Sequence, residues 1–376
     1  MAPIPYRLGV IQRVLPAYRV PFFNLLARAC AGGLGLLAGQ PRPDESIETG
    51  SRPRQVPGPD PLGQACLFKA RNQHLLPGLF YLCRQEGVKP FLEEWQPDAL
   101  IVEANPRYLS TPGAVKWMHH RRRPVIGWGL GATPPHGVLA GLRGAARRTF
   151  LNQFDALVAY SQHGAEEYRQ AGFPVERVFV APNAVVARPI EPAPVRALDF
   201  GGGRATVLFV GRLQARKRID LLLRACAELP ETIRPKLWVV GDGPARAEME
   251  TLANRVLPSA LFFGACHGAE LESLFGAADL FALPGTGGLA VQQAMSFGLP
   301  VIVAEGDGTQ SDLVRPENGW MIAPGQLDAL TGCLADALAD PVRLRKMGQA
   351  SYRIVREEVN LERMVEVFSG VVSLII

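Results

Sequence analysis

Short apolar segments alternate with helical patterns along almost the whole chain. The apolar segments are residues 8–15, 34–39, 98–104, 124–129, 155–161 and 177–182 in the first half, and 205–211, 236–242, 260–265, 279–285, 299–305 and 319–324 in the second. Short, continuous apolar runs are typical of strands in a parallel sheet that is covered by helices on both faces. The pattern therefore predicts an α/β protein with two doubly wound parallel-sheet domains.

Two segments interrupt this alternation. Residues 40–65 are rich in Pro, Gly and Arg, which predicts a long loop. Residues 187–204 are also rich in Pro and Gly, and we place the linker between the domains there. After the last strand, residues 341–372 have apolar positions at helical spacing. The predicted division is a first domain at 1–190, a linker at 191–204, a second domain at 205–355 and a terminal helix at 356–376.

Length and composition are those of a folded protein with two domains. The chain has 376 residues, of which 48% are hydrophobic and 20% are charged, and a single core rarely grows to that length. The net charge of +5 favours anionic partners such as nucleotide phosphates, acidic lipid headgroups or nucleic acid. Nucleic acid is not expected, because the chain lacks a basic motif with interleaved aromatic residues.

The cysteine and hydropathy patterns indicate a reducing compartment. The six cysteines include no Cys-x-x-Cys pair, so neither a disulfide framework nor a zinc site is expected. The longest nearly apolar run, 29–39, is shorter than the about 20 residues of a membrane-spanning helix. Arginines interrupt the N-terminal segment where a signal peptide has its apolar region. We therefore expect a cytoplasmic protein.

Two cations follow the first apolar run of the second half. Gly211, Arg212 and Lys217 lie between that run and an apolar helical segment. Two cations this close on one loop can bind a diphosphate, and the N-terminus of the next helix adds oriented N–H groups. A solvated basic loop is the alternative, because Arg216 and Arg218 are basic as well.

A glycine-rich turn precedes another helix of the second half. The bare backbone at 285–288 would let a ligand approach closely, and N–H groups at the helix N-terminus favour a phosphate. Gln292 and Gln293 follow one turn later, where neutral amides can bind sugar hydroxyls. Tight packing of strand on helix, with solvated glutamines, is the alternative. The candidate donor-binding residues of this turn are Gly285, Gly287, Gly288, Leu289, Ala290 and Gln293.

Together, these segments resemble a known enzyme family. The motifs FVGRLQARKRIDLLLRA, VVGDGP, LFFGACHGAELESLFGAADLFALP and GLAVQQAMSFGLPVIV lie within residues 205–325. They are similar to the nucleotide-sugar half of the retaining glycosyltransferases of family 4, the glycosyl transferases group 1. LPAYRVPFFNLLA resembles a branch of that family with a Tyr-Arg-x-Pro-Phe-Phe first loop. The resemblance implies the GT-B fold, in which two Rossmann-like domains face each other across a cleft and the C-terminal helix crosses back to the first domain.

The resemblance also implies roles for residues of the second half. Arg212 and Lys217 would bind the donor diphosphate, backbone N–H groups of 288–290 would join them, and Gln293 would contact the ribose. No metal or other cofactor is expected, because these cations take the place of a metal-binding Asp-x-Asp pair. Family members usually have glutamates at the positions of Gly285 and Gln293, so the donor sugar and its nucleotide stay open.

The first half contributes candidates for catalysis and acceptor binding. Glu103 ends a predicted strand and could activate an acceptor hydroxyl or stabilise positive charge at the anomeric carbon. His136 lies in the loop after the next strand. The alternative for Glu103 is a carboxylate that only bonds nearby backbone, and the alternative for His136 is a loop histidine without a catalytic role. Tyr18 and Arg19 belong to the first loop, where Arg19 could face the diphosphate across the cleft or have a structural role.

One helical segment of the first half is both basic and partly apolar. It carries Arg143, Arg147 and Arg148 beside Leu139, Leu142 and Phe150. Such a helix could lie on an anionic membrane near a lipid-linked acceptor, as a peripheral contact at the inner face of the membrane. An ordinary solvated helix face is the alternative.

These observations predict a retaining glycosyltransferase. It would move a sugar from a nucleotide-sugar donor to a hydroxyl of a glycan, lipid-linked or small-molecule acceptor. Same-face attack on the sugar is expected, because no enzymic nucleophile is evident. The alternative from another class is a GT-B protein that binds nucleotide sugars without turnover. It is suggested by the missing glutamate at Gly285 and by Leu130, which stands near the position where the family often has a histidine.

Overall fold

The chain divides into two compact units. The computed structural model describes residues 3–42, 45, 47, 49–50, 65–75 and 81–376. The first unit runs to Val185 and also contains Leu361–Ile376, and the second contains Val186–Asn360. Most of the loop predicted at 40–65 lies outside the described residues.

The first unit is built on a mainly buried parallel sheet. Apart from the hairpin β4–β5, its described strands form one sheet in the order β3-β2-β1-β6-β7-β8-β9. Its strands are β1 (Leu8–Val14), β2 (Leu34–Gly39), β3 (Ala65–Lys69), β4 (Arg71–Leu75), β5 (Leu82–Glu86), β6 (Ala99–Glu103), β7 (Val125–Gly129), β8 (Ala156–Ala159) and β9 (Val178–Val180). Its first five helices are α1 (Val20–Ala29), α2 (Val88–Trp95), α3 (Thr111–His119), α4 (Ala140–Leu151) and α5 (Gln162–Gln170).

The second unit repeats this architecture. Its described strands form a parallel sheet in the order β12-β11-β10-β13-β14-β15. They are β10 (Thr206–Val210), β11 (Lys236–Val240), β12 (Leu261–Gly264), β13 (Leu280–Leu283), β14 (Val301–Ala304) and β15 (Gly319–Ile322). The helices are α6 (Ile219–Glu228), α7 (Arg246–Val256), α8 (Gly268–Ala277), α9 (Leu289–Ser296), α10 (Gln310–Leu313), α11 (Leu327–Ala339) and α12 (Pro341–Glu357), and α13 (Leu361–Ile375) returns to the first unit.

The prediction of two doubly wound parallel sheets is confirmed, because the apolar runs form the central strands. Residues of β8, β13 and β14 are buried throughout, as expected for strands with helices on both faces. Strand β3 and the antiparallel hairpin β4–β5 were not predicted. The hairpin sequences, such as RNQHL in β4, are largely polar and only partly buried, so they lack the apolar signal. Strand β3 is a short edge strand in which only the first residue is buried.

Chain order reverses once in each sheet. In the first sheet β1 lies between β2 and β6, and in the second β10 lies between β11 and β13. At such a point the loops that follow two neighbouring strands leave in opposite directions and create room for a ligand at the carboxyl edge. We call these places the first and the second switch point. They lie after β1 and β6, and after β10 and β13.

The helical stretch predicted at 341–372 is formed by two helices. Helix α12 ends at Glu357 and α13 begins at Leu361. The Asn360 amide donates to the backbone carbonyls of Val355 and Arg356, which satisfies two carbonyls that the helix end leaves open. Helix α13 then packs in the core of the first unit, where Phe368 contacts the rings of Phe22 and Trp128.

Candidate functional site

The second switch point is a tight assembly of two loops. The segment after β10 includes a 3-10 turn at Ala215–Lys217, and the segment after β13 leads into α9. The backbone N–H of Thr286 donates to the carbonyl of Arg216 at 3.1 Å. A side chain at Gly285 would collide with that carbonyl and with the backbone of Lys217. Glycine is therefore required at 285 because the 3-10 turn occupies the space of a side chain.

Lys217 is held against the glycine-rich turn. Its Nζ donates to the carbonyl of Thr286 at 2.6 Å, and a side chain at Gly287, whose φ is +137°, would collide with this Nζ. Burial, helped by the nearby charge of Arg216, lowers the pKa of Lys217 to about 8. No carboxylate pairs with the ammonium among the described residues. An incoming anion would therefore supply the counter-charge that the site lacks.

Arg212 lies on a loop that backbone hydrogen bonds hold on both sides of it. The N–H of Gly211 donates to the carbonyl of Val240, and the N–H of Leu213 donates to the carbonyl of Asp242, both at 2.9 Å. The Arg212 side chain is exposed, and it makes no hydrogen bond or ion pair with any residue that the structure describes. Its guanidinium can therefore bind a ligand without breaking a hydrogen bond or ion pair to a described residue.

The N-terminus of α9 lies at the same switch point. Gly288 is its N-cap residue and makes no side-chain cap, so the first N–H groups, at 288–290, lack the partners that an interior turn provides. Next to it, the buried Gln310 donates from Nε2 to the carbonyl of Gly287 at 3.2 Å. The Oε1 of Gln310 has no hydrogen-bond partner among the described residues. The helix start is therefore fixed in place while its N–H groups stay open.

The two adjacent glutamines of α9 have different environments. Gln292 is fully buried and donates from Nε2 to the carbonyl of Val359 at 2.7 Å. The hypothesis that its amide binds a sugar hydroxyl is therefore wrong, because the amide links α9 to the end of α12. Gln293 is half-buried, and its side-chain amide bonds to none of the described residues. It is free to contact a ligand.

Glu103 lies at the first switch point, at the end of β6. Its Oε2 accepts a hydrogen bond of 2.5 Å from the backbone N–H of Arg13. Burial raises the pKa of Glu103 to about 7, against the opposing charges of Arg13 and Arg19. At neutral pH this carboxyl group therefore exchanges between its acid and its base form, as a general acid or base requires.

Arg19 is enclosed by aromatic rings beside this carboxyl group. The guanidinium lies over Trp128, Tyr160 and Tyr18 at 4.6, 5.1 and 5.5 Å from the ring centroids. The residue is only 4% exposed, and its Nη1 has no hydrogen-bond partner in the described part of the chain. Tyr18, at 42% exposure, presents its ring to solvent at the same place. Such a cation is rigidly held and has an unused donor.

Two residues of this edge were missed from the sequence. Trp128 pairs in register with Glu103, so both side chains lie on one face of the sheet. Its Nε1 is buried without a partner among the described residues, as is Nε2 of Gln12 at the end of β1. A glutamine inside the apolar run 8–15 was a signal for a polar site, because an unsatisfied buried amide costs about 1–3 kcal/mol.

His136 stands apart from these groups. Its ring is exposed and forms no hydrogen bond with a described residue, while its backbone carbonyl accepts from Arg143. No bond in the described structure links the ring to Glu103 or Arg19. Among the described residues there is also no group of three His, Cys, Asp or Glu side chains suited to a metal ion. None of the described helices combines the length and hydrophobicity needed to cross a bilayer.

Sequence comparison relates the chain to glycosyltransferases. Residues 195–354 match the family model described as Glycosyl transferases group 1. The chain is 27% identical to the GDP-mannose-dependent monoacylated alpha-(1-6)-phosphatidylinositol monomannoside mannosyltransferase of Corynebacterium glutamicum, over 69% of this chain and 71% of that protein. It is 28% identical to the GDP-mannose-dependent alpha-(1-6)-phosphatidylinositol monomannoside mannosyltransferase of Mycolicibacterium smegmatis, over 54% of this chain and 58% of that protein, less than two thirds of its length.

Solved structures with the same fold cover nearly the whole chain. The Anabaena protein Alr3699/HepE, solved in complex with UDP, matches 98% of this chain and 99% of its own with a TM-score of 0.71 at 18% identity. The lipopolysaccharide outer core galactosyltransferase WaaB, in its apo form, matches 98% of this chain and 100% of its own with a TM-score of 0.69 at 15% identity. These likenesses confirm the GT-B fold, and assignment to family 4 agrees with the relatives above. Residues 195–354 therefore form a Glycosyl transferases group 1 domain, and the chain is a glycosyltransferase.

Proposed function

We propose that this enzyme is a retaining glycosyltransferase whose second unit binds a nucleotide-sugar donor through its diphosphate. The observation that carries the proposal is the group of Lys217, Arg212 and the N-terminus of α9 at one switch point, with no carboxylate in either of its two loops. A diphosphate satisfies an ammonium, a guanidinium and open N–H groups at the same time. The first unit then binds the acceptor.

The same groups assist the departure of the nucleoside diphosphate. When the glycosidic bond to phosphate breaks, negative charge grows on the leaving oxygen. Lys217, Arg212 and the N–H groups of 288–290 stabilise this charge without further rearrangement, because the loops that carry them are already fixed by hydrogen bonds. Lys217 gains most, since an anion restores the pKa that burial lowers. In this account the reaction needs no metal.

The donor sugar is recognised without a side chain at position 285. The 3-10 turn fills the space beside Gly285, so a glutamate cannot be accommodated there without moving that turn. We expect Gln293 to bind the ribose through neutral hydrogen bonds. The two relatives are named for GDP-mannose and the Anabaena neighbour was solved with UDP, so donors with both bases belong in the test.

For the acceptor, we assign the edge of the first sheet. Glu103, with its pKa near 7, is suited to accept a proton from a hydroxyl or to stabilise charge at the anomeric carbon. Arg19 and Tyr18 offer an unused donor and an exposed ring beside it. Both relatives are named for phosphatidylinositol mannoside substrates, which makes a lipid-linked acceptor one of the three classes to examine, with glycans and small molecules.

The test is turnover with a panel of UDP-, GDP-, dTDP- and ADP-linked sugars and acceptors of the three classes. Release of one nucleoside diphosphate, with the anomeric configuration of the product followed by NMR, is the expected result, and the configuration is retained. Lys217→Ala should lower its rate by about 10-fold to 100-fold, whereas Lys236→Ala, an equal loss of charge at the start of β11, should leave the rate unchanged. Inversion, or nucleotide release that does not depend on Lys217, would contradict the proposal.

A further inference from the structure

Lys217 has an environment that the other lysines of the chain lack. The chain has six lysines, all within the described residues, and Lys217 is the one that is half-buried. The other five are exposed: Lys69, Lys89, Lys116, Lys236 and Lys346. A lysine that is partly desolvated beside another cation is activated as a nucleophile. Lys217, beside Arg216, meets both conditions.

Part of the Lys217 side chain is a neutral amine at neutral pH. Burial, followed by the charge of Arg216, lowers the pKa of Lys217 to about 8. At pH 7 about one tenth of it is therefore uncharged, compared with roughly one in 2,500 for a lysine of ordinary pKa. The neutral form has the lone pair that attacks a carbonyl carbon, so Lys217 is favoured over an exposed lysine.

The amine of Lys217 is oriented by backbone and remains accessible. Its Nζ donates to the carbonyl of Thr286 at 2.6 Å, in a contact exposed to solvent. Gly287 leaves the space beside Nζ open, because a Cβ at that position would collide with it. The neighbouring Asp220 pairs with Arg218 instead. Without a carboxylate to hold its proton, the amine is free to react once it is deprotonated.

The same switch point can hold the phosphate of an acylating agent. Arg212 is exposed and bonds to none of the described residues, and α9 begins at Gly288 without a side-chain cap. These groups are the ones to which the proposed function assigns the donor diphosphate, and the inference rests on that assignment. An acyl phosphate presents the same kind of anion, and its carbonyl carbon is directly attached to the phosphate oxygen.

We propose that Lys217 is an acylation site, at which an acyl phosphate such as acetyl phosphate transfers its acyl group to Nζ. The amine attacks the carbonyl carbon, and the new N–C bond forms while the C–O bond to phosphate breaks. Inorganic phosphate leaves with the electron pair of that bond, and a proton of the amine passes to it. Arg212 and the N–H groups of 288–290 stabilise the negative charge that grows on the leaving phosphate.

Acylation of Lys217 should prevent donor binding. The resulting amide carries no charge and has one N–H group in place of the three of an ammonium. The acyl group also adds volume beside the bare backbone of Gly287. Bound nucleotide shields the amine in turn, so acylation and donor binding exclude each other. The enzyme would therefore lose activity when acyl phosphates accumulate.

The test is treatment of the full-length protein with acetyl phosphate at pH 7, followed by peptide mass spectrometry. We expect Lys217 to be acetylated at least about tenfold faster than the exposed Lys236 of the same unit. The matched reagent is the acetic ester of N-hydroxysuccinimide, which transfers the same acyl group without a phosphate and should prefer Lys217 less. Acetylation spread evenly over the six lysines, or an equal preference with both reagents, would overturn the inference.

Arg212→Gln separates phosphate binding from the reactivity of the amine. It should slow acetylation of Lys217 by acetyl phosphate about tenfold and leave acetylation by the ester unchanged. The matched control is Arg255→Gln, at an exposed position of α7, which should alter neither rate. Both arginines are exposed, so thermal melting should be the same for the two variants. An unchanged rate with acetyl phosphate in Arg212→Gln would refute the phosphate-directed transfer.

Nucleotide protection distinguishes this inference from the proposed function. A nucleoside diphosphate at ten times its Kd should slow acetylation of Lys217 about tenfold. Acetylated enzyme should lose nucleotide affinity, whereas Lys217→Arg should keep its own affinity after the same treatment. Selective acetylation without protection would support the acylation site and contradict the donor assignment. Nucleotide binding without selective acetylation would support the donor assignment and overturn the acylation site.

Discussion

The two switch points have the same topology and opposite chemistry. At the second, two loops without any acidic residue bring a lysine, an arginine and a helix N-terminus together. At the first, a carboxyl group with a raised pKa lies beside a guanidinium enclosed by aromatic rings. One edge is built for a fixed anion, and the other for a group that exchanges a proton. The difference teaches that the shared sheet topology determines where a binding site forms, whereas the residues of the loops determine what that site can bind or catalyse.

Replacing the carboxyl group at the first switch point should have the largest effect. Glu103→Gln retains an acceptor for the N–H of Arg13 but cannot take a proton, so we expect turnover to fall by about 10²–10⁴. The carboxylate forms as pH rises through the pKa of about 7, so the rate of the unaltered enzyme should increase over that range. The variant should lose this increase, which a pH series of initial rates checks.

Nucleotide binding separates this effect from unfolding. The affinity of Glu103→Gln for the donor nucleotide should be unchanged, because the donor groups lie in the other unit. A variant that turns over normally, with the same pH profile as the unaltered enzyme, would exclude Glu103 as the proton-exchanging group. The proposed difference in chemistry between the two switch points would then be wrong.

Adding a single methyl group at the second switch point should reduce stability. Gly285→Ala forces a Cβ into the backbone of Arg216 and Lys217, so we expect the free energy of unfolding to fall by about 1–3 kcal/mol. The matched control is Gly276→Ala in α8, where a Cβ meets no neighbour and should stabilise the helix by about 0.5–1 kcal/mol. Urea unfolding measures both. Equal effects of the two substitutions would show that the turn is not packed on Gly285.

The pH dependence of donor binding should be the smallest of these effects. The pKa of Lys217 in the empty site is about 8, so its ammonium is complete below that pH and is lost above it. Affinity for a diphosphate should therefore decline above pH 8, by at most about tenfold per pH unit. Lys217→Arg keeps its charge throughout this range and should remove the decline. The same decline in both proteins would assign it to another group.

The sequence predicted the strands of both central sheets, except the edge strand β3, because burial on two faces leaves continuous apolar runs. It missed the hairpin β4–β5, whose polar residues carry no such signal. The break between α12 and α13 lies a few residues after the predicted start of the terminal helix at 356, because no glycine or proline marks it and the Asn360 amide provides the cap.

Long-range contacts explain what could not be predicted at the sites. The need for glycine at 285 arises from a turn about seventy residues earlier in the chain, and the role of Gln292 arises from Val359, which lies in the connection between α12 and α13. Local spacing placed Arg212, Lys217 and Gly288 at strand ends and a helix start. It could not distinguish residues that pack from residues that remain open.

The central claim is that one ammonium at the second switch point binds the donor diphosphate. Isothermal titration with the nucleoside diphosphate of the preferred donor, at pH 7, tests it most directly when Lys217→Ala is compared with Lys236→Ala. We predict that Lys217→Ala weakens binding by about 10-fold to 100-fold, the value of one charge-assisted contact, while Lys236→Ala binds like the unaltered enzyme. Equal affinities of the two variants would contradict the claim.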